Sequence, residues 1–442
     1  MQRAAPALTF RLPISIEHRR LWLDNGLEVI VHPHHRLPRV VVNLLFRVGS
    51  GDDPRRRRGL AHLFEHLMFM GTRRLPEQAF DLLMERAGGW NNAFTSEDQT
   101  VYYDVGPARL LEQLLWAEAD RMANLAGAID EEKLALQRDV VLNELWQNYT
   151  NAPYGALELA LPALLYPRGH PYSWPVIGAE ADLRRVTLTD VRRHFSRYYA
   201  PGNAALVIAG DVDPDRAARL ARRYFGWIPP AQVGRRRPPR RPGGLDAPVR
   251  RVFEDRVEQP KLVIAWHSPA NLTPGDAELD LAADLLASGK QARLHRNLVH
   301  RQRLATHVAA YQWSRRLGSL FVVEVTARQG APRREVERRT LEIVAALFDR
   351  RPGRAELARA KNGYETHFVA RLQQVQRRAE LLNLYAASAG QPDHAAADLA
   401  RYHLATAESV QRWCRAVLRT RRRGTFWVVP GAGTGDVGED RP

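Results

Sequence analysis

The sequence predicts an α+β fold built as two related α/β halves, and three observations carry that reading. Short apolar strands alternate with amphipathic helices along the chain. The order of elements in the first half recurs in the second, at ~200 residues per copy. A stretch rich in Pro, Arg and Gly, 229–244, divides the 442 residues near their middle. The expected organisation is residues 1–228, a linker over 229–250, and residues 251–442.

Arg20–His32 alternates as a strand, broken by the turn Asp24-Asn25-Gly26, and Val40–Val48 is a second, more continuous strand. Gly49–Pro54 ends it. A helix over Gly59–Met68 follows, then another over Pro76–Ala87 closed by Gly88-Gly89. Trp90–Ser96 and Thr100–Val105 read as two short strands around a Glu97-Asp98 turn. Pro107–Leu125 is helical, with proline at the start where its missing N–H costs nothing. Asp130 is placed to cap the next helix, and Thr187 to cap Thr187–Tyr199. Ala204–Asp211 is a buried strand.

In the second half Lys261–His267 and Leu320–Ala327 read as strands. Gln291–His300, Glu335–Arg350, Ala355–Leu372 and Val375–Ala389 read as helices. Asp276–Ala287 stands where Gly59–Met68 stands in the first half, but its apolar face, Leu279, Leu281, Ala282 and Leu285, carries no ligand set. The helix Thr406–Leu418 and the strand Gly424–Gly431 mirror Thr187–Asp211.

The chemistry centres on Gly59–Met68, which contains H-x-x-E-H. His62 and His66 are four apart, so they share one helix face and can bind one zinc. Glu65 lies close to the same face, and Leu60, Leu63, Phe64, Leu67 and Met68 make the surroundings apolar. Alone, the pattern is also compatible with ordinary surface polarity. Glu144 adds weight, because it recurs at helical spacing with Val140 and Val141. A carboxylate on an apolar stripe is costly unless it is paired or binds a metal. Glu144 is thus a natural third ligand, and two His plus one Glu with an open fourth position is a catalytic zinc set. A salt bridge to an arginine is the plainer alternative. Asn92 and Ala93 leave the backbone of their strand accessible, so an extended peptide could add to it if it is a sheet edge. His170 sits in a Gly/Pro loop and reads as turn chemistry.

Composition excludes several classes. The net charge is +16, yet only four of the 65 basic residues are lysine, an arginine bias typical of genome composition. The runs Arg55–Arg58, Arg235–Arg241 and Arg419–Arg423 fall in apparent loops, without the aromatic-studded motif of a nucleic-acid site, so no nucleic-acid partner is expected. The only cysteine, Cys414, reads as core packing and excludes an intrachain disulfide. No stretch approaches the ~18 apolar residues of a membrane span. Met1–Arg11 has no secretory apolar run, so a cytoplasmic protein is expected, or a periplasmic one if the start lies upstream.

Taken together, Gly59–Thr72, Gly88–Tyr103 and Val140–Glu144 resemble the pitrilysin family of inverted zincins, over about Arg20 to Gly431. The resemblance implies two halves arranged as a clam. It implies one zinc per chain on His62, His66 and Glu144, Glu65 as general base, and Asn92 and Ala93 on the strand that aligns substrate. The activity implied is endoproteolysis of unstructured peptides or precursors, the alternative being a non-catalytic core subunit. Two departures stand out. Gln137 replaces a glutamate that the family often carries one heptad before the distal ligand; it can hydrogen-bond a ligand but adds no charge. Val299 and Thr306 stand where self-sufficient relatives carry an arginine and a tyrosine that hold substrate and oxyanion. The expected partner is therefore a similar subunit supplying that pair in a heterodimer, the alternative being a homodimer.

Overall fold

The computed structural model of the chain describes residues 14–230, 242–431, 433 and 435–438. The stretch Met1–Arg11, the Arg235–Arg241 run and residues 231–241 of the expected linker lie outside them.

The first half contains strands β1 (Arg19–Trp22), β2 (Glu28–Pro33), β3 (Arg39–Phe46), β4 (Trp90–Thr95), β5 (Thr100–Pro107) and β6 (Ala204–Gly210). Its helices are α1 (Leu60–Leu67), α2 (Ala79–Ala87), α3 (Leu111–Asn124), α4 (Glu131–Leu145), α5 (Gly155–Leu165), α6 (Glu180–Leu183), α7 (Leu188–Tyr198) and α8 (Pro214–Phe225). The second half contains β7 (Val249–Asp255), β8 (Lys261–Ser268), β9 (Ala305–Trp313), β10 (Ser319–Ala327), β11 (Gly424–Pro430) and β12 (Gly435–Gly438). Its helices are α9 (Asp276–Ala287), α10 (Arg333–Asp349), α11 (Arg354–Leu372), α12 (Val375–Ala389), α13 (Ala395–Leu404) and α14 (Ala407–Val417).

The fold is α+β, with one six-stranded mixed sheet in each half. The orders are β1-β2-β6-β3-β5-β4 and β12-β7-β11-β8-β10-β9. From the second strand onward the two orders correspond one to one, parallel at β2/β6 and at β7/β11 and antiparallel elsewhere. The outermost strand differs: β1 precedes its neighbour in sequence, whereas β12 comes after the rest of its sheet. β4 and β9 are the opposite edges, each hydrogen-bonded on one side only.

Both faces of each sheet are covered, which explains the continuous apolar runs in β3 and β6. On the first sheet one face, including Val40, Val42, Leu206 and Ile208, packs against the half's own helices. The other face, Ile30, Val41, Val105 and Val207, packs against Ala379, Leu382 and Tyr385 of α12, a helix of the second half. The second sheet reciprocates: Phe253, Val263, Val322 and Phe426 pack against Leu157, Leu161 and Leu165 of α5, a helix of the first half. Asn383 Nδ2 donates to the backbone oxygen of Asn43 across the first of these contacts (3.0 Å), and His267 Nε2 meets the Leu165 oxygen across the second (2.7 Å).

Several elements depart from the sequence reading. The helix expected from Pro76 begins at Ala79, because Gln78 takes a left-handed turn at φ 63°. Gln291–His300, expected as a helix, turns π-helical at His295, and that segment runs to Arg301. α8, β7, β9, α13 and β12 were not anticipated; in β7 and β9, VRRVFED and ATHVAAYQW, charged and small residues blur the two-residue alternation. Val140, expected beside Glu144 on a buried stripe, is exposed, and α4 buries Leu134, Val141, Leu142 and Leu145 instead. Cys414 is fully buried in the core of the second half, as expected.

Candidate metal centre

α1 is the element on which the site is built. Leu60, Leu63, Phe64 and Leu67 point into the core of the first half, where the Phe64 ring lies 4.3 Å from that of Tyr199. That burial fixes the rotation of the helix and turns His62 and His66 toward α4. The start of α1 is fixed as firmly. Gly59 takes φ 90°, and a Cβ there would come 2.6 Å from the Ile177 oxygen. Asp53, itself buried, accepts from the backbone N–H of Gly59 (2.7 Å) and of Ala61 (2.9 Å). Burial pushes the Asp53 carboxyl well above the usual carboxylate range, although both N–H donors oppose the rise.

α4 crosses α1 and carries Glu144 one residue before its end, where the chain continues into a π-helical turn over Trp146–Thr150. Glu144 Oε1 faces the Asn148 amide at 3.5 Å. Its Oε2 lies 3.4 Å from His66 Nε2 and 3.7 Å from His62 Nε2. One ligand atom from each of the three residues falls within 4.8 Å of the others, so the set could hold one metal ion. The two separations to Glu144 are near those of zinc, whose tetrahedral bonds of about 2.0–2.1 Å put neighbouring ligand atoms about 3.3–3.4 Å apart. The electrostatics suit it too. Burial, then the neighbouring His66, lowers the His62 imidazole to about 4, so it is neutral, which is the ligand form. Its contact with His66 holds the Glu144 carboxyl below its ordinary value against burial.

Glu65 is buried beside this group, and its carboxylate accepts from the Thr95 hydroxyl. Burial raises the Glu65 carboxyl above its ordinary value, with Glu144 adding to the rise and Thr95 and His66 opposing it. Thr95 is the last residue of β4, so the edge strand runs alongside α1. Along β4, Ala93 packs against the same core as α1, whereas Asn92 is exposed. The Ala93 N–H is directed away from β5 and is met by the side-chain oxygen of Asn92 (2.8 Å).

The structure thus brings together His62, His66, Glu144 and Glu65 and sets Asn92 and Ala93 on a free sheet edge. Gln137 stands two turns before Glu144, and its amide donates to the Met70 sulfur (2.8 Å) rather than to a ligand side chain. Val299 packs against the core of the second half, and the Thr306 hydroxyl donates to Gln259 Oε1 (2.7 Å). His170 accepts from the Tyr172 N–H within its turn (3.0 Å), the structural role expected of it. In the second half, α9, the counterpart of α1 in element order, carries polar contacts of its own. There Asp276 on α9 pairs with Arg401 (2.9 Å), and Tyr402 donates to Asp280 (2.6 Å). Sequence reasoning missed Asp53 and Thr95. Thr95 had a signal, since it is two residues from Ala93 and so on the same strand face.

Comparison with known proteins bears on this arrangement. The family model described as insulinase (peptidase family M16) matches residues 29–173, and that of the peptidase M16 inactive domain matches 185–364. A zinc protease of Helicobacter pylori, PqqE, is 30% identical over 371 residues, spanning 81% of this chain and 80% of its own. The chain belongs to the M16 (insulinase/pitrilysin) peptidase family. The crystal structure of a protease from Helicobacter pylori superposes with a TM-score of 0.87 at 25% identity, covering 94% of this chain and all of that one. The beta subunit of the mitochondrial-processing peptidase of Saccharomyces cerevisiae is 26% identical over 215 residues, 48% of this chain and 45% of its own. Among the described residues no helix is long and apolar enough to cross a membrane.

Proposed function

We propose that this M16 chain is a zinc-dependent endopeptidase subunit that cuts unstructured peptides held as an added strand on β4. The observation that carries the reading is the convergence of His62, His66 and Glu144 beside Glu65, next to a free sheet edge. Zinc on the three ligands would polarise the scissile carbonyl and lower the pKa of water there toward ~7. Glu65, lifted by burial and oriented by Thr95, takes the proton from the attacking water and passes it to the leaving amine. The outward N–H of Ala93 fixes the register of the peptide once the Asn92 side chain swings away from it.

Val299 and Thr306 offer neither charge nor phenol to a developing oxyanion, and Thr306 is engaged elsewhere. A similar subunit carrying the arginine and tyrosine therefore completes the site. The test is cleavage of a long unfolded peptide by the purified, zinc-loaded chain, with and without a related subunit that carries the pair. The reading expects about one zinc per chain, as one three-ligand site requires, and turnover only with the second subunit. Glu65→Gln should keep the zinc and lose turnover. Efficient cleavage by the chain alone would sink the split site, and turnover surviving in Glu65→Gln would sink the assigned base.

A further inference from the structure

The hairpin that ends β4 is gripped from both halves of the molecule. On the first-half side, the Ser50 N–H donates to the Ser96 oxygen (3.0 Å) and the Gly51 N–H to the Glu97 oxygen (3.0 Å). The approach at Gly49 is close enough that a Cβ there would lie 2.3 Å from the Ser96 oxygen. On the second-half side stands the loop that joins β9 to β10. Arg315 Nη1 pairs with Glu97 Oε1 at 3.1 Å, and the two side chains are 4% and 9% exposed. The Arg315 guanidinium also lies 3.6 Å from the centre of the Trp313 ring and 5.1 Å from that of Tyr172. Among the described residues its Nε and Nη2 find no hydrogen-bond partner. Beside it, Arg316 pairs with Asp98 (3.1 Å). Tyr172 donates to Asp98 (2.6 Å) and accepts from the Leu317 N–H (3.1 Å).

A buried ion pair is a poor source of net stability, because desolvation of both charges offsets most of their attraction. Its attested use is to fix one arrangement out of several. Here the arrangement it fixes is the edge strand. Glu97 is two residues from Thr95, which orients Glu65, and four from Ala93, which bears the outward N–H. Glu97, Trp313 and Ser314 also line a cavity of about 490 Å³ between the halves.

We infer that Arg315 is a positioning residue: through Glu97 the second half, which carries no ligand set, holds β4 in the place where a peptide substrate adds to it. The inference rests on the strand-addition reading above, and the measurements are chosen so that the two can fail separately. The full, zinc-loaded chain carrying Glu65→Gln, so that nothing is cut, is compared with and without Arg315→Met. Affinity for a fluorescent unstructured peptide is read together with amide exchange over residues 90–99 and zinc content. The expected outcome is faster exchange in the hairpin, unchanged exchange in α1, zinc retained, and peptide affinity lower by about tenfold, the scale of a coupling through one such network. Arg315→Lys, which keeps the charge opposite Glu97, should recover part of the affinity. Unchanged hairpin exchange would overturn the positioning role. Faster exchange with unchanged affinity would instead reject strand addition at β4, and the inference with it. Loss of zinc would show a general structural role and overturn it as well. Should Arg315→Met not fold, because it strands a buried carboxylate, Glu97→Gln/Arg315→Met removes both charges and is read the same way.

Discussion

Asp53 shows how much of a candidate metal centre lies outside the residues that could hold the ion. It lies before α1 in sequence, touches no ligand side chain, and ties down two of the N–H groups left open at the start of the helix. Removing such a cap costs about 1–2 kcal/mol. Asp53→Ala should therefore lower the unfolding free energy by that amount, read by denaturant titration, and weaken zinc in a chelator competition. Asp53→Asn, which keeps an acceptor and the volume, should lose less of both. Gly59→Ala should be worse than a lost cap, since it adds a φ of 90° that alanine resists to a contact of 2.6 Å with a backbone oxygen. The cluster of His62, His66 and Glu144, which could hold a metal ion, was legible because its logic is local: four residues along one helix, and a glutamate at helical spacing on another. Thr95 and Arg315 were not, because each acts on a residue that only folding brings near, and Asp53 was not, because it accepts from N–H groups six and eight residues ahead, outside the spacing that marks a helix cap. Glu144 was found for a partly mistaken reason, since its neighbour Val140 is exposed.

At the scale of elements, β4 is distinctive because its edge is left open beside the group that could hold a metal ion. Its outward amide at Ala93 takes no part in the ladder with β5 and is met only by a side chain of its own strand. Proline is tolerated at such an edge position. Ala93→Pro should thus leave the thermal midpoint within a few degrees, the shift about 1 kcal/mol brings, while peptide binding or KM worsens by about tenfold or more, a loss of ~1.4 kcal/mol. A large loss of stability with it would show that the amide is needed by the fold instead. Most strands and helices were legible from periodicity and caps. Asp130 and Thr187 cap their helices as their sequence positions suggest. β9 escaped notice because small and polar residues interrupt its alternation, which is common on an edge strand with one side in water.

For the whole molecule, the duplication was legible and the joint between the copies was not. One part of that joint should be sensitive to acid. His32 on β2 donates from Nδ1 to the Glu17 oxygen (2.6 Å), and its Nε2 accepts from Arg378 of α12 (3.3 Å), which also meets His34 (3.1 Å). Burial, with Arg378 and the nearby His34 and His18 adding to it, lowers the His32 imidazole to about 4. A base whose folded pKa is depressed leaves the unfolded chain binding the extra proton, so stability is full above the unfolded value near 6.5 and is lost as pH falls toward 4. The loss from this residue should be roughly 2–3 kcal/mol. Denaturant titrations at pH 7 and 4.5 should show it, and His32→Gln should flatten the slope across that window. An equal slope in the variant would place the acid sensitivity elsewhere.

The crossing of α5 and α12 has a consequence for ancestry. Each sheet is kept dry by a helix encoded in the other copy. Neither copy, expressed alone, would have a finished surface, and a lone copy should recruit a second molecule of itself or aggregate. A gene split between the halves would yield two products that must be made together to persist. The same exchange makes the second half indispensable although no such His/Glu group is found in it among the described residues: it is half of the first one's core.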